Sequence, residues 1–146
     1  MDTVTTNIVV ACDGSDHAVH AARLAADLAR ATGQPLKLLS VFPGSRYERM
    51  VLRGDSRKDL DREVRTYGRQ VFDAVEEALS GIADPVEEIL LRGDPAKEII
   101  EYLENNPGDH LVMGRRGHSM VRSLTLGSIS EKVVRHATSP VTVVSE

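Results

Sequence analysis

Tryptophan is absent from this 146-residue chain, and aromatic residues of all kinds make up only 3% of it. Stacking platforms for single-stranded nucleic acid are therefore missing. The lone cysteine, Cys12, excludes an internal disulfide and fits a reducing cytoplasm. Apolar runs stop after a few residues, too short for a transmembrane helix. Met1-Asp2-Thr3-Val4-Thr5-Thr6 has neither the basic start nor the apolar core of a secretion signal. Positive charge is also scarce: 18 Lys+Arg against 22 Asp+Glu leave a net charge of −4, which argues against a general nucleic-acid binder. What is present, 41% hydrophobic and 27% charged residues, is ordinary for a soluble protein. The length suits one domain spanning residues 1–146 with a proper core.

Short buried runs alternate with amphipathic stretches. Ile8-Val9-Val10-Ala11-Cys12 reads as a strand buried on both faces. Asp13-Gly14-Ser15 breaks it, with Ser15 suited to cap the following helix. From Asp16 to Thr32, residues Ala21, Leu24, Ala25, Leu28 and Ala31 recur at helical spacing, and Gly33 supplies the stop. Residues 36–41 form a second strand closed by Pro43-Gly44, and residues 42–56 read as a variable loop. Leu60, Val64, Tyr67, Val71, Ala74 and Ala78 make one stripe of a long helix that ends at Gly81. Residues 86–91 are a third strand whose glutamates suggest an outer position in a sheet. Asp94 and Pro95 open another helix as cap and first residue, and Asn105-Asn106-Pro107-Gly108 ends it. Residues 110–113 are the fourth strand, 129–136 a helix and 141–144 the last strand. The order βαβαβαβαβ predicts an α/β fold, a doubly wound, mainly parallel five-stranded sheet with helices on both faces. Ligands in such sheets bind beyond the carboxyl ends of strands, where strand order reverses.

The chemistry concentrates in Gly114-Arg115-Arg116-Gly117, followed nine residues later by Gly127-Ser128. The stretch begins where Leu111-Val112-Met113 ends, and Ser128-Ile129-Ser130-Glu131 has the form of a capping box opening a helix. Glycines let backbone N–H groups approach a phosphate and permit positive φ. A helix N-terminus favours anions, and Arg115, Arg116, His118 and Arg122 add local positive charge. Ser128 can offer its hydroxyl to the same oxygens. The stretch reads as the phosphate-binding loop of a nucleotide site. The plainer reading makes Gly114 and Gly117 turn residues, Gly127 a hinge and the basic side chains a solvated face.

With these residues in place the chain resembles the universal stress protein family, in its nucleotide-binding branch. The motif Gly-x2-Gly-x9-Gly-Ser is met by Gly114, Gly117, Gly127 and Ser128. Supporting matches are Ile8 to Ser15, Gly93-Asp94-Pro95-Ala96-Lys97-Glu98-Ile99, and Ser139-Pro140-Val141-Thr142-Val143-Val144. The resemblance covers nearly the whole chain and is weakest over residues 42–58. It implies a Rossmann-like sheet of strand order 3-2-1-4-5, with the ends of strands one and four side by side. It also implies that Asp13 contacts a ribose, that Ala11 and Val41 help hold an adenine, and that the glycine loop, Gly127 and Ser128 take the phosphates. The nucleotide-binding set is then Ala11, Cys12, Asp13, Val41, Met113, Gly114, Arg116, Gly117, His118, Gly127, Ser128, Ile129 and Ser130. The expected ligand is ATP with Mg²⁺.

Other chemistries fit less well. A phosphoacceptor receiver needs an acidic pair after strand one, an Asp after strand three and a Lys after strand five. Here one acid, Leu91-Arg92-Gly93 and Val144-Ser145-Glu146 stand in those places. The P-loop motif and a dinucleotide fingerprint after strand one are both missing. His17 and His20 are three apart on a helix without a third ligand nearby, so no metal cluster is expected. Cys12 reads as a small buried hydrophobe, and Asp13 has a competing use in capping the first helix with Ser15. With Asp13 at the ribose no general base remains, so at most slow ATP hydrolysis is expected. The expectation is a cytoplasmic nucleotide binder that signals in a stress response. The alternative is a nucleotide-free dimeric interaction module of the same fold. In either case Val141, Thr142, Val143 and Val144 form an apolar sheet edge suited to pairing with a second copy.

Overall fold

The computed structural model describes residues 4–115 and 126–145. Its elements in chain order are β1 (Asn7–Ala11), α1 (Asp16–Thr32), β2 (Leu36–Pro43), α2 (Gly44–Arg53), α3 (Arg57–Ala78), β3 (Glu87–Gly93), α4 (Pro95–Asn105), β4 (Asp109–Gly114), α5 (Ser128–His136) and β5 (Val141–Val144). The strands form one sheet of order β3-β2-β1-β4-β5, every pair parallel. The fold class and strand order expected from the sequence are both observed.

The sheet separates two cores. Val10, Leu38 and Val112 point to one face, where α1 and α3 cover them with Ala22, Ala25, Val71, Phe72 and Val75. Val9, Leu39 and Leu111 point to the other, under α4 and α5, against Ile99, Leu103 and Val133. That two-sided burial is why the central strands read as continuous apolar runs rather than alternating ones. β3 is an edge, and its Glu88 meets Arg69 of α3 at 2.6 Å.

Caps behave largely as the residue types demand. Ser15 accepts from the Ala18 N–H and Gly33 closes α1 at φ 69°. Asp94 accepts from the Lys97 N–H, with Pro95 opening α4. Three expectations need correction. The buried stripe of α1 is Ala18, Ala21, Ala22, Ala25, Ala26 and Ala29, whereas Leu24 and Ala31 are exposed. Small alanines let the helix lie close to the sheet, and the larger leucine is turned outwards. On α3 the inner positions after Val71 are Phe72 and Val75, not Ala74 and Ala78, because the bulkier side chains claim the core. Residues 42–56 are not a loop. They contain α2, which has Pro43 at its N-cap and Gly54 at φ 90° closing it, and only Met50 buried along its length.

A polar anchor lies at the N-terminal end of the sheet. Lys37 near the start of β2 reaches Asp109 at the start of β4 at 2.7 Å, with side chains only 10% and 2% exposed. The Tyr102 hydroxyl of α4 donates to the same carboxylate at 2.5 Å. The Lys37 ammonium also sits 5.7 Å from the centre of the Tyr102 ring.

Candidate functional site

The opposite, C-terminal end of the sheet is where the binding chemistry gathers. β1 is followed by a crossover to β2 on one side, and β3 by a crossover to β4 on the other, so strand order reverses between β1 and β4. A crevice must open at that point. It holds a cavity of about 480 Å³, well within the range of ligand pockets.

Its apolar wall is built from Ala11, Leu39, Val41, Ile99 and Met113. Polar groups come from Asp13 beyond β1, Ser40 of β2, Arg46 of α2 and Tyr67 of α3. Gly114, Gly127, Ser128, Ile129 and Ser130 close the other end. Of the thirteen residues proposed from sequence, Ala11, Cys12, Asp13, Val41, Met113, Gly114, Gly127, Ser128, Ile129 and Ser130 all line this one cavity. Arg116, Gly117 and His118, with Arg122, lie outside the described residues.

The start of α5 differs in detail from the expected capping box. Gly127, not Ser128, is the N-cap, with φ −63° and ψ 159° and no side-chain cap. Its backbone is therefore in a region open to any residue, and the positive-φ argument does not apply to it. The Gly127 N–H donates to the Arg115 carbonyl at 2.9 Å. Ser130 turns its hydroxyl to the Gly114 carbonyl, also at 2.9 Å, which ties the first turn of α5 to the end of β4. The early N–H groups of α5 have no partner within the helix and face the anion-favouring end of its dipole.

Asp13 serves two purposes. Its carboxylate accepts from the Ser15 N–H at 2.9 Å and the Ser15 hydroxyl at 2.5 Å, as the capping alternative expected, and it also forms part of the cavity wall. Cys12 is 3% exposed. Burial foremost, then the Asp13 charge, pushes its thiol up to about 12. It packs as a small buried side chain, as its sequence context suggested. The Tyr67 phenol is likewise raised, chiefly by burial. Arg46 stacks over Phe42, 5.1 Å from its ring centre, and pairs with Glu63. Arg46 carries no sequence signal because the turn chemistry of Pro43-Gly44 hides α2. Ser40 and Tyr67 carry none either, because a strand serine and a tyrosine in an apolar stripe form no motif. His17 and His20 join no metal-binding group, and none is found among the described residues.

A doubly wound parallel sheet with a ligand-sized crevice at its switch point, one end apolar and the other at a helix N-terminus, is the architecture of a Rossmann-like α/β fold. Residues 5–145 match the universal stress protein family, and the chain belongs to it. A universal stress protein of Thermus aquaticus is 36% identical over 144 residues, covering 94% of this chain and 96% of its own length. Among solved structures, the universal stress protein UspA from Lactobacillus plantarum superposes with a TM-score of 0.79 at 25% identity, covering 99% of this chain and 100% of that one. The universal stress protein from Archaeoglobus fulgidus in complex with dAMP shares the fold at a TM-score of 0.67 and 23% identity, covering 97% and 99%.

Proposed function

We propose that this chain binds an adenine nucleotide, ATP with Mg²⁺, in the switch-point cavity and acts as a regulator in a stress response. One observation carries the reading: ten residues scattered from Ala11 to Ser130 converge on a single cavity with an apolar wall and a helix N-terminus at its end. The apolar wall suits a base, Asp13 suits the ribose hydroxyls, and the first turn of α5 suits phosphate. That the fold accepts dAMP in the Archaeoglobus protein is consistent with this. Arg116, Gly117 and His118 belong to the same proposal through the glycine motif of the sequence and lie outside the described residues. Mg²⁺ would be held mainly by phosphate oxygens and water, because no described group of three carboxylates or histidines could hold it.

Turnover is not the role proposed. Asp13 is the sole carboxylate among the described residues lining the cavity, and it is engaged with Ser15. The chain acts as a single unit and pairs with a second copy through β5, whose four residues form a half-buried sheet edge.

Calorimetric titration with ATP, AMP and GTP, with and without Mg²⁺, tests the ligand. Adenine nucleotides should release heat and GTP much less. No heat and no thermal shift at millimolar ATP, where weak binding still registers, would refute the reading and leave a nucleotide-free dimeric module.

A further inference from the structure

The cavity contains a polar mismatch that the proposed ligand contacts do not use. Ser40 is 2% exposed, and its hydroxyl has no hydrogen-bond partner among the described residues. Beside it stands the Tyr67 phenol. Burial raises that phenol most, and the Ser40 hydroxyl is close enough to lower it as a hydrogen-bonding neighbour, although the pair does not reach hydrogen-bond geometry. Yet Tyr67 donates elsewhere, to the Val41 carbonyl, at a long 3.3 Å.

The Val41 carbonyl has a particular place. Carbonyls of alternate strand residues point the same way, and that of Leu39 accepts from the Cys12 N–H on the β1 side. Val41 therefore also turns its carbonyl towards β1. Because β1 pairs with β2 only as far as Ala11 and Leu39, that carbonyl faces the crevice beyond the strand end. Tyr67 thus occupies a strand acceptor that opens onto the cavity, while a buried hydroxyl next to it goes unused.

We propose that Tyr67 is a two-position residue, with the Val41 carbonyl as its partner in the free protein and Ser40 as its partner when a ligand donor takes that carbonyl. This rests on the proposed adenine-nucleotide site, where the exocyclic amine of the base is the donor that would claim Val41. Tyr67 is then a stand-in for the ligand, and Ser40 receives the displaced phenol. The bond broken at Val41 is replaced at Ser40, so binding proceeds without leaving a buried hydroxyl unmatched. A ligand without a donor at that edge leaves Tyr67 where it is.

A double-mutant cycle on the full chain tests this, with ATP as the probe and calorimetry as the readout. Ser40→Ala removes the receiving hydroxyl and should weaken ATP about tenfold, the scale of one lost hydrogen bond plus an unmatched phenol. In the Tyr67→Phe background the same Ser40→Ala change should have no further effect. The tyrosine ultraviolet difference spectrum on adding ATP should be altered in Ser40→Ala relative to the parent. Free Ser40→Ala should melt no lower than the parent, since it deletes an unmatched buried group. A Ser40→Ala loss that persists in the Tyr67→Phe background would show direct contact with the ligand and overturn the proposal. Unchanged ATP affinity in Ser40→Ala would overturn it too. Failure of the parent protein to bind ATP would instead overturn the nucleotide reading, and this inference with it.

Discussion

Replacing Asp109 with Ala should destabilise the protein more than any loss confined to the cavity. The carboxylate is 2% exposed and holds both Lys37, at 2.7 Å, and the Tyr102 hydroxyl, at 2.5 Å. Its removal strands an ammonium only 10% exposed and leaves a phenol without its acceptor. Breaking a buried pair from one side costs about 3–5 kcal/mol. Unfolding entropy scales at about 2.1 cal/mol/K per residue, which for 146 residues is about 0.3 kcal/mol/K. The melting temperature should therefore fall by about 10–16 °C in a calorimetric or circular-dichroism melt. Tyr102→Phe removes a single hydrogen bond and should cost about 1 kcal/mol, or about 3 °C. Joint replacement of Lys37 and Asp109 by Met and Leu should recover much of the loss, because no charge is then left alone.

The same network fixes a pH dependence. Burial works most strongly against charge on Lys37, but hydrogen bonds with Asp109 and Tyr102 and their charges outweigh it, so its pKa lies above the ordinary value. Tyr102 is pushed from 10.0 up to about 12, by burial first and then by Asp109. Both are raised in the folded state. Their stabilisation is therefore complete below about pH 10, near the unfolded values, and is lost as pH climbs through the folded ones. The parent should lose stability more steeply than Asp109→Ala between about pH 10 and pH 12. A shift below about 3 °C for Asp109→Ala at neutral pH, or parallel alkaline profiles for the two proteins, would refute the argument.

Three further outcomes follow from the site and its surroundings. Gly127→Val adds a branched side chain at the cavity wall while keeping an allowed φ of −63°, so ATP binding should collapse with an unchanged circular-dichroism spectrum; full affinity would remove Gly127 from the phosphate end. Val143→Pro deletes a ladder donor from the β5 edge and should move the light-scattering mass from dimer towards monomer, whereas an unaltered dimer would place the interface elsewhere. Cys12, buried with its thiol near 12, should stay unreactive to a disulfide reagent at pH 8 until the protein is unfolded, and rapid native-state labelling would contradict that burial.

The strands and most helix ends were legible because their signals are local. Runs such as Ile8-Val9-Val10 can be buried only between two layers, and Ser15, Gly33, Asp94 and Pro95 act through bonds within one turn. α2 was hidden because Pro43-Gly44 has the chemistry of a turn, and because Met50 is the only residue it buries, leaving no stripe to read. The cap of α5 falls at Gly127, one residue before the serine of the local pattern. Ser130 is drawn to the Gly114 carbonyl, a contact between parts of the chain that no local rule anticipates. Ser40 and Tyr67 meet at the cavity only through the fold. Their relation depends on β2 outrunning β1.

The Lys37–Asp109–Tyr102 anchor and the cavity stand at opposite ends of the same strands. That separation gives the protein room to change. A substitution at Ala11, Val41 or Ile129 alters what the crevice can hold without touching the ion pair that clamps β2, β4 and α4 together at the far end. Ligand preference can therefore drift by single replacements at the strand tips while the strand roots keep the chain folded. Variants selected for a new ligand should gather at the tips. Variants that abolish soluble expression should gather at the roots.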